Sequence, residues 1–213
     1  MANLAEISEA LIAGSADRVR ELTGAALEEG ISAEELLNGA LMPGMDEVGQ
    51  RFKANEFYVP EVLIAARAMH AGMDLLRPQL AAGGVAASGK VVIGTAKGGL
   101  HDIGKNLVIM MLEGAGFEVL DLGIDTAPER FVNAVKESQP DVLGISALLT
   151  TTMVQMGAVV EALKGAGVRD QVKVMGGGAP LTERYANEIG ADGYAPDAAS
   201  AVDKAKELLG ITS

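Results

Sequence analysis

The chain has 213 residues, 49% hydrophobic and 22% charged, long enough to bury one good core or two modest ones. Its 29 acidic against 17 basic side chains give a net charge of -12, which argues against a nucleic-acid or anionic-membrane partner, and 3% aromatics leave little for base stacking. The absence of cysteine, a start (Met1 to Glu6) without a basic leader region, and the lack of any uncharged apolar run near the ~18 residues of a membrane span together predict a cytoplasmic protein with no membrane partner.

From the N-terminus, apolar residues recur at helical spacing. The sets are Leu4, Ile7 and Leu11; Val19, Leu22 and Ala26; Leu41, Met45, Val48 and Phe52; and Val59, Val62, Ala66, Met69, Met73 and Leu76. Ser15 and Ser32 are placed as N-caps, Glu35 completes a capping box with Ser32, and Pro60 suits a first helical turn. About four helices follow, a small bundle over residues 1–84. The small-residue stretch Ala81 to Gly89 then reads as a boundary, with a linker at 85–89 that could act as a hinge.

Downstream, short apolar runs alternate with amphipathic stretches. Strands are predicted at Lys90 to Gly94, Glu118 to Leu122, Asp141 to Ser146, Val172 to Met175 and near Gly193-Tyr194, with helices at about 103–115, 127–138, 152–165, 182–189 and 198–209. The run Thr126 to Glu129 reads as the start of the second of these helices. Five βα units with right-handed crossovers give an α/β fold over 90–213, a flavodoxin-like (Rossmann-like) doubly wound parallel sheet in the order 2-1-3-4-5.

In that order the ligand crevice opens beyond the carboxyl ends of strands one and three. The loop after strand one holds Gly98, Gly99, Leu100, His101, Asp102, Ile103 and Gly104. The loop after strand three carries Ser146, Leu148, Thr150 and Thr152, and Gly176, Gly177 and Gly178 follow strand four, where missing Cβ atoms would let a ligand approach the backbone. Glycine-rich turns often serve only tight turns, but three on one sheet edge point to one ligand. Gly99 to Asn106 also nearly matches the phosphate loop G-x-x-x-x-G-K-[ST], spoiled by Asn106 where a magnesium-binding hydroxyl belongs.

The stretch Gly98-Gly-Leu-His-Asp-Ile-Gly-Lys-Asn106, with Ser146-Ala-Leu148, Gly177-Gly178 and Gly193-Tyr-Ala-Pro-Asp-Ala198, resembles the cobalamin signature D-x-H-x-x-G, S-x-L and G-G. The class is that of corrinoid proteins of methyltransferase systems and the matching modules of cobalamin-dependent methionine synthase. The resemblance implies that His101 is the lower axial ligand of cobalt, imidazole being a good ligand for that metal. It implies that Ser146, Leu148, Thr150, Gly177 and Gly178 line a slot for the nucleotide tail, with Tyr194, Ala195 and Asp197 near its end. Arg51-Phe52 and Tyr58-Val-Pro-Glu-Val62 resemble the helical cap of that class, so Phe52, Val59 and Val62 would shield the cobalt-bound methyl group; taken singly, each also suits a bundle core.

One position departs from the signature. Gly99 stands where the acidic residue two before the histidine belongs, which would orient the ring and join it to a hydroxyl at the place of Thr152. Asp102 is adjacent but should point elsewhere. Ligation by His101 is therefore expected to be weaker, or else partial with water or a backbone carbonyl taking the second ring N–H. The implied role is methyl carriage as methylcobalamin and Co(I) cobalamin, not catalysis alone, between a substrate-specific methyltransferase and a folate or thiol acceptor methyltransferase, with a reductive activase as further partner. A radical mutase subunit and a cobalamin sensor are the alternatives that keep the cofactor.

Overall fold

The computed structural model describes residues 3–83 and 87–211. Two compact units result: one ends at Ala87 and the other begins at Ser88, with Gly114–Gly116 assigned to the first. Within the expected linker, Gly84, Val85 and Ala86 lie outside the described residues.

The first unit is helical: α1 (Leu4–Ile12), α2 (Ala16–Glu28), α3 (Ala33–Leu36), a π-turn (Leu37–Leu41), α4 (Met42–Lys53) and α5 (Val59–Gly83). Helices α3 and α4 form one run through the π-turn, so the expected four helices stand. The wide turn has a local cause. Pro43 sits in the first turn of α4 without an N–H to give, and Met42 N–H donates back to the Leu37 carbonyl. Ser32 caps α3 by accepting from Glu35 N–H at 3.1 Å, whereas the Ser15 hydroxyl makes no cap bond. The apolar stripes meet inside: Ile7, Leu11, Val19, Leu36, Leu41, Val48 and Leu76 are all buried.

The second unit is a five-stranded, wholly parallel sheet in the order β2-β1-β3-β4-β5, as the alternation of strand and helix requires. Its strands are β1 (Lys90–Thr95), β2 (Glu118–Asp121), β3 (Val142–Ser146), β4 (Lys173–Gly177) and β5 (Gly193–Ala195). The helices are α6 (Ile103–Gly114), α7 (Pro128–Ser138), α8 (Thr150–Gly165), α9 (Glu183–Glu188) and α10 (Ala198–Leu208). Val92, Leu143, Ile145 and Val174 carry the sheet into a core completed by Phe131, Met156, Val159 and Leu163.

Most boundaries fall within one residue of the sequence expectation, and two differ by two residues. Helix α8 begins at Thr150, two residues early, because Thr152 closes its first turn with Leu149: its hydroxyl donates to the Leu149 carbonyl at 2.9 Å and accepts from Leu149 N–H at 3.3 Å. Strand β4 continues through Gly176 and Gly177, which pair with Ile145 and Ser146 on one side and Tyr194 and Ala195 on the other. At the start of α7 Ala127 holds the cap position and Pro128 follows, as suits a residue without an N–H.

Candidate functional site

The β1–α6 loop is fixed at both ends by bonds to β2 and the turn that follows it. Upstream, Thr95 is buried, and its hydroxyl donates to the Gly99 carbonyl at 2.6 Å while accepting from Asp125 N–H at 2.9 Å. Asp125, in the left-handed region at φ 49°, also gives its N–H to Gly99 O at 3.0 Å and accepts Gly98 N–H on its carboxylate at 2.7 Å. Downstream, Lys105 is buried to 1% exposure, and its ammonium donates to both oxygens of Asp121 (2.8 and 2.7 Å) and to Asn106 Oδ1 at 2.7 Å. Asn106 Nδ2 in turn donates to Asp102 at 3.0 Å.

Between these anchors Leu100, His101 and Ile103 project outward, Leu100 at 66% and Ile103 at 75% exposure. Among the described residues no hydrogen bond or ion pair engages the His101 ring. Asp102 is turned to Asn106, as its place one residue past the histidine suggests. Gly104 stands beside them in open space, with nothing within 4 Å of where a Cβ would lie. Packing within the protein does not require a glycine there, and the gap leaves the backbone approachable by a flat, bulky ligand.

Lys105 removes the phosphate-loop alternative. That role needs the ammonium on the open side of the loop, and here it points inward to Asp121.

The other loops of this sheet edge lie after β3, β4 and β5. Ser146 is half-buried, Leu148 is 44% exposed and Thr150 is exposed on the first turn of α8, while Thr152 is buried with its hydroxyl committed to Leu149. Gly177 is a strand residue. At Gly178, φ is 128° and the place of a Cβ is taken by the Ala147 carbonyl oxygen, so the approach this glycine permits is that of the neighbouring β3 loop. Tyr194 is half-buried and Ala195 buried. Asp197 caps α10, accepting from Ser200 N–H at 2.8 Å and Ser200 Oγ at 2.9 Å.

In the helical unit Val62 is buried, and Phe52 and Val59 are half-buried. Tyr58 (63% exposed), Leu63 (41%) and Ile64 (47%) are the large apolar residues that this unit leaves open at the start of α5. Glu61 accepts Tyr58 N–H at 2.9 Å, and the Arg51 guanidinium lies 5.3 Å from the centre of the Phe57 ring.

The donor set of the sheet edge is specific in one respect. Among the described residues there is no group of three or more side chains able to hold a metal ion. His101 is the histidine of this edge, and it stands exposed. The exposed imidazole, the space at Gly104 and the exposed Leu100, Ile103 and Leu148 would suit cobalamin, a bulky cofactor whose own ring already holds its metal.

A doubly wound parallel sheet receives its ligand at the switch point, and that is where this chain carries the His101 loop. Two family models, each described as a B12 binding domain, match residues 89–203 and 4–77. The chain is 45% identical over 206 residues to dimethylamine corrinoid protein 3 of Methanosarcina acetivorans, covering 97% of this chain and 96% of the relative. Among solved structures, a cobalamin-binding protein from Desulfitobacterium hafniense superposes with a TM-score of 0.82 at 33% identity, covering 98% of this chain and 99% of that one. The methanol:cobalamin methyltransferase complex of Methanosarcina barkeri contains a chain that matches with a TM-score of 0.85 at 31% identity, over 99% of this chain and 80% of its own length. The chain belongs to the B12-binding corrinoid proteins of methyltransferase systems. No described helix is long and apolar enough to cross a membrane.

Proposed function

We propose that this protein carries a methyl group on cobalamin between two methyltransferases, one specific for a methylated substrate and one for a folate or thiol acceptor. When bound, cobalamin supplies a cobalt centre able to accept a methyl group and release it again. The observation that supports the reading most is the exposed, unpartnered His101 on a loop anchored at both ends, beside the open backbone at Gly104. His101 would hold the lower axial position. Leu100, Ile103 and Gly104 would lie against the macrocycle, and Ser146, Leu148, Thr150 and the Gly177–Gly178 turn would border the nucleotide tail. Phe52 and Val59, which are half-buried, would exclude water from the other face, while the fully buried Val62 would support them from the bundle core.

The named relatives suggest where the methyl group originates. One is a dimethylamine corrinoid protein and another a trimethylamine corrinoid protein of Methanosarcina barkeri, so methylated amines are the first donors to try, with methanol next. Reconstitution with hydroxocobalamin, chemical reduction, and addition of a methylamine or methanol methyltransferase with its substrate tests the reading. The expected result is stoichiometric uptake of cobalamin and appearance of the methylcobalamin absorption spectrum. Failure to bind cobalamin, or binding of adenosylcobalamin with turnover of a carbon-skeleton rearrangement, refutes it.

A further inference from the structure

The His101 ring lacks a partner among the described residues, yet the backbone that carries it is held more firmly than a glycine-rich loop requires. On its upstream side the buried Thr95 and the Asp125 backbone share the Gly99 carbonyl as acceptor, and the Asp125 carboxylate holds Gly98 N–H. On its downstream side a continuous chain runs from strand β2 to the helix start. Gly123 N–H donates to Asp121 at 2.8 Å, Asp121 accepts from Lys105, Lys105 donates to Asn106, and Asn106 donates to Asp102.

Burying an ammonium is costly, and a carboxylate with an amide oxygen offsets that cost without adding much net stability. What such a pair supplies is direction. Lys105 and Asn106 lie on the first turn of α6, and Asp121 ends a strand paired to β1 through Ile93. The sheet thus dictates where α6 begins, and α6 dictates where His101 stands. Thr95 and Asp125 do the same from the other side, since Thr95 ends β1 and Asp125 follows β2.

We infer that Thr95 with Asp125, and Lys105 with Asp121 and Asn106, are positioning residues for His101: they fix its Cα by two anchors and leave its ring free of any bonded partner. The inference deepens the proposed function and rests on His101 as the axial ligand. Its consequence is that the reach of the imidazole depends on bonds made several residues away.

Two mild substitutions cut the anchors independently. Asn106→Ala removes both links of the amide while Lys105 keeps Asp121. Thr95→Val keeps the shape of the buried side chain and removes its hydroxyl, and Thr95→Ser restores the hydroxyl. Amide hydrogen exchange is read on the chain without cofactor, and nitrogen hyperfine coupling in the Co(II) spin-resonance spectrum on the cobalamin-loaded chain carrying nitrogen-15 histidine, so that the splitting of the histidine is told from that of the cofactor's own benzimidazole. In Asn106→Ala and Thr95→Val, exchange over residues 98–104 is expected to rise about tenfold with the β3–β4 core unchanged. The nitrogen-coupled fraction falls in both, and Thr95→Ser returns both signals to wild type. Wild-type exchange in both variants, or faster exchange with undiminished coupling, overturns the inference. A wild-type chain that binds cobalamin with no nitrogen coupling overturns the His101 assignment instead, and the positioning role falls with it.

Discussion

Substituting Gly99 tests the loop geometry most sharply, because two effects of opposite sign compete there. Its φ is not in the left-handed region, so replacing glycine with alanine would ordinarily stabilise by about 0.4–1 kcal/mol through the unfolded chain. The folded loop opposes this. A Cβ at Gly99 falls 2.8 Å from the Ala96 carbonyl oxygen and 3.2 Å from Thr95 Cβ and Oγ1. Neither neighbour gives easily, since Ala96 O is backbone that already accepts Gly99 N–H at 2.9 Å, and Thr95 is buried with its hydroxyl bonded twice. Overpacking of this kind costs about 1–3 kcal/mol, so Gly99→Ala should lower stability by about 1–2 kcal/mol net. Urea denaturation of the chain without cofactor measures it, and a variant as stable as wild type refutes the argument. Gly99→Asp should cost at least as much and, by placing a carboxylate near the ring, raise the nitrogen-coupled fraction of cobalamin-loaded Co(II) protein. Full coupling in the wild type, unchanged by the substitution, would sink the expectation that ligation is weak.

Gly104→Ala should behave in the opposite way: helix propensity favours alanine by up to about 1 kcal/mol and nothing obstructs the methyl group, so urea stability rises while cobalamin affinity, read by absorption titration, falls. Gly178→Ala should destabilise by about 4 kcal/mol or more, because both its φ of 128° and the Ala147 carbonyl oxygen exclude a side chain; loss of the folded thermal transition is the readout. Thr126→Val should stabilise by about 1 kcal/mol in urea, since the buried Thr126 hydroxyl has no partner among the described residues and valine keeps its shape.

Sheet order was legible because β1, β3 and β4, largely buried on both faces, read as short apolar runs, and runs alternating with helices admit one handedness of crossover. The place of His101 was legible for the same reason: order 2-1-3-4-5 dictates which loops share an edge. The residues that hold His101 were not. Asp121 lies 16 positions from Lys105 and meets it only because β2 pairs in register with β1, Asp121 beside Ile93. Nothing in the local spelling Gly104-Lys105-Asn106 distinguishes a lysine turned to a phosphate from one turned to a carboxylate inside the fold. Gly178 was legible as a necessary glycine, but the backbone it admits is that of Ala147. Thr152 was legible as a hydroxyl near the loop; its commitment to Leu149 depends on where α8 starts, which periodicity fixes only to within a turn.

The anchored loop and the unpartnered ring suit the methyl carriage proposed above. In such a carrier a protein ligand to the cofactor would have to let go and return, so its bond would need to be breakable while its place is kept. A ring also held through its second nitrogen is more basic and more fixed, and each departure disturbs two bonds. At His101 a departure disturbs one. Residue 99 cannot supply the second bond without displacing Ala96 or Thr95, and Asp102 is already committed to Asn106. On the proposed reading the histidine would swing away and return to the same position, its place being kept by the Thr95 and Lys105 anchors and not by the ring.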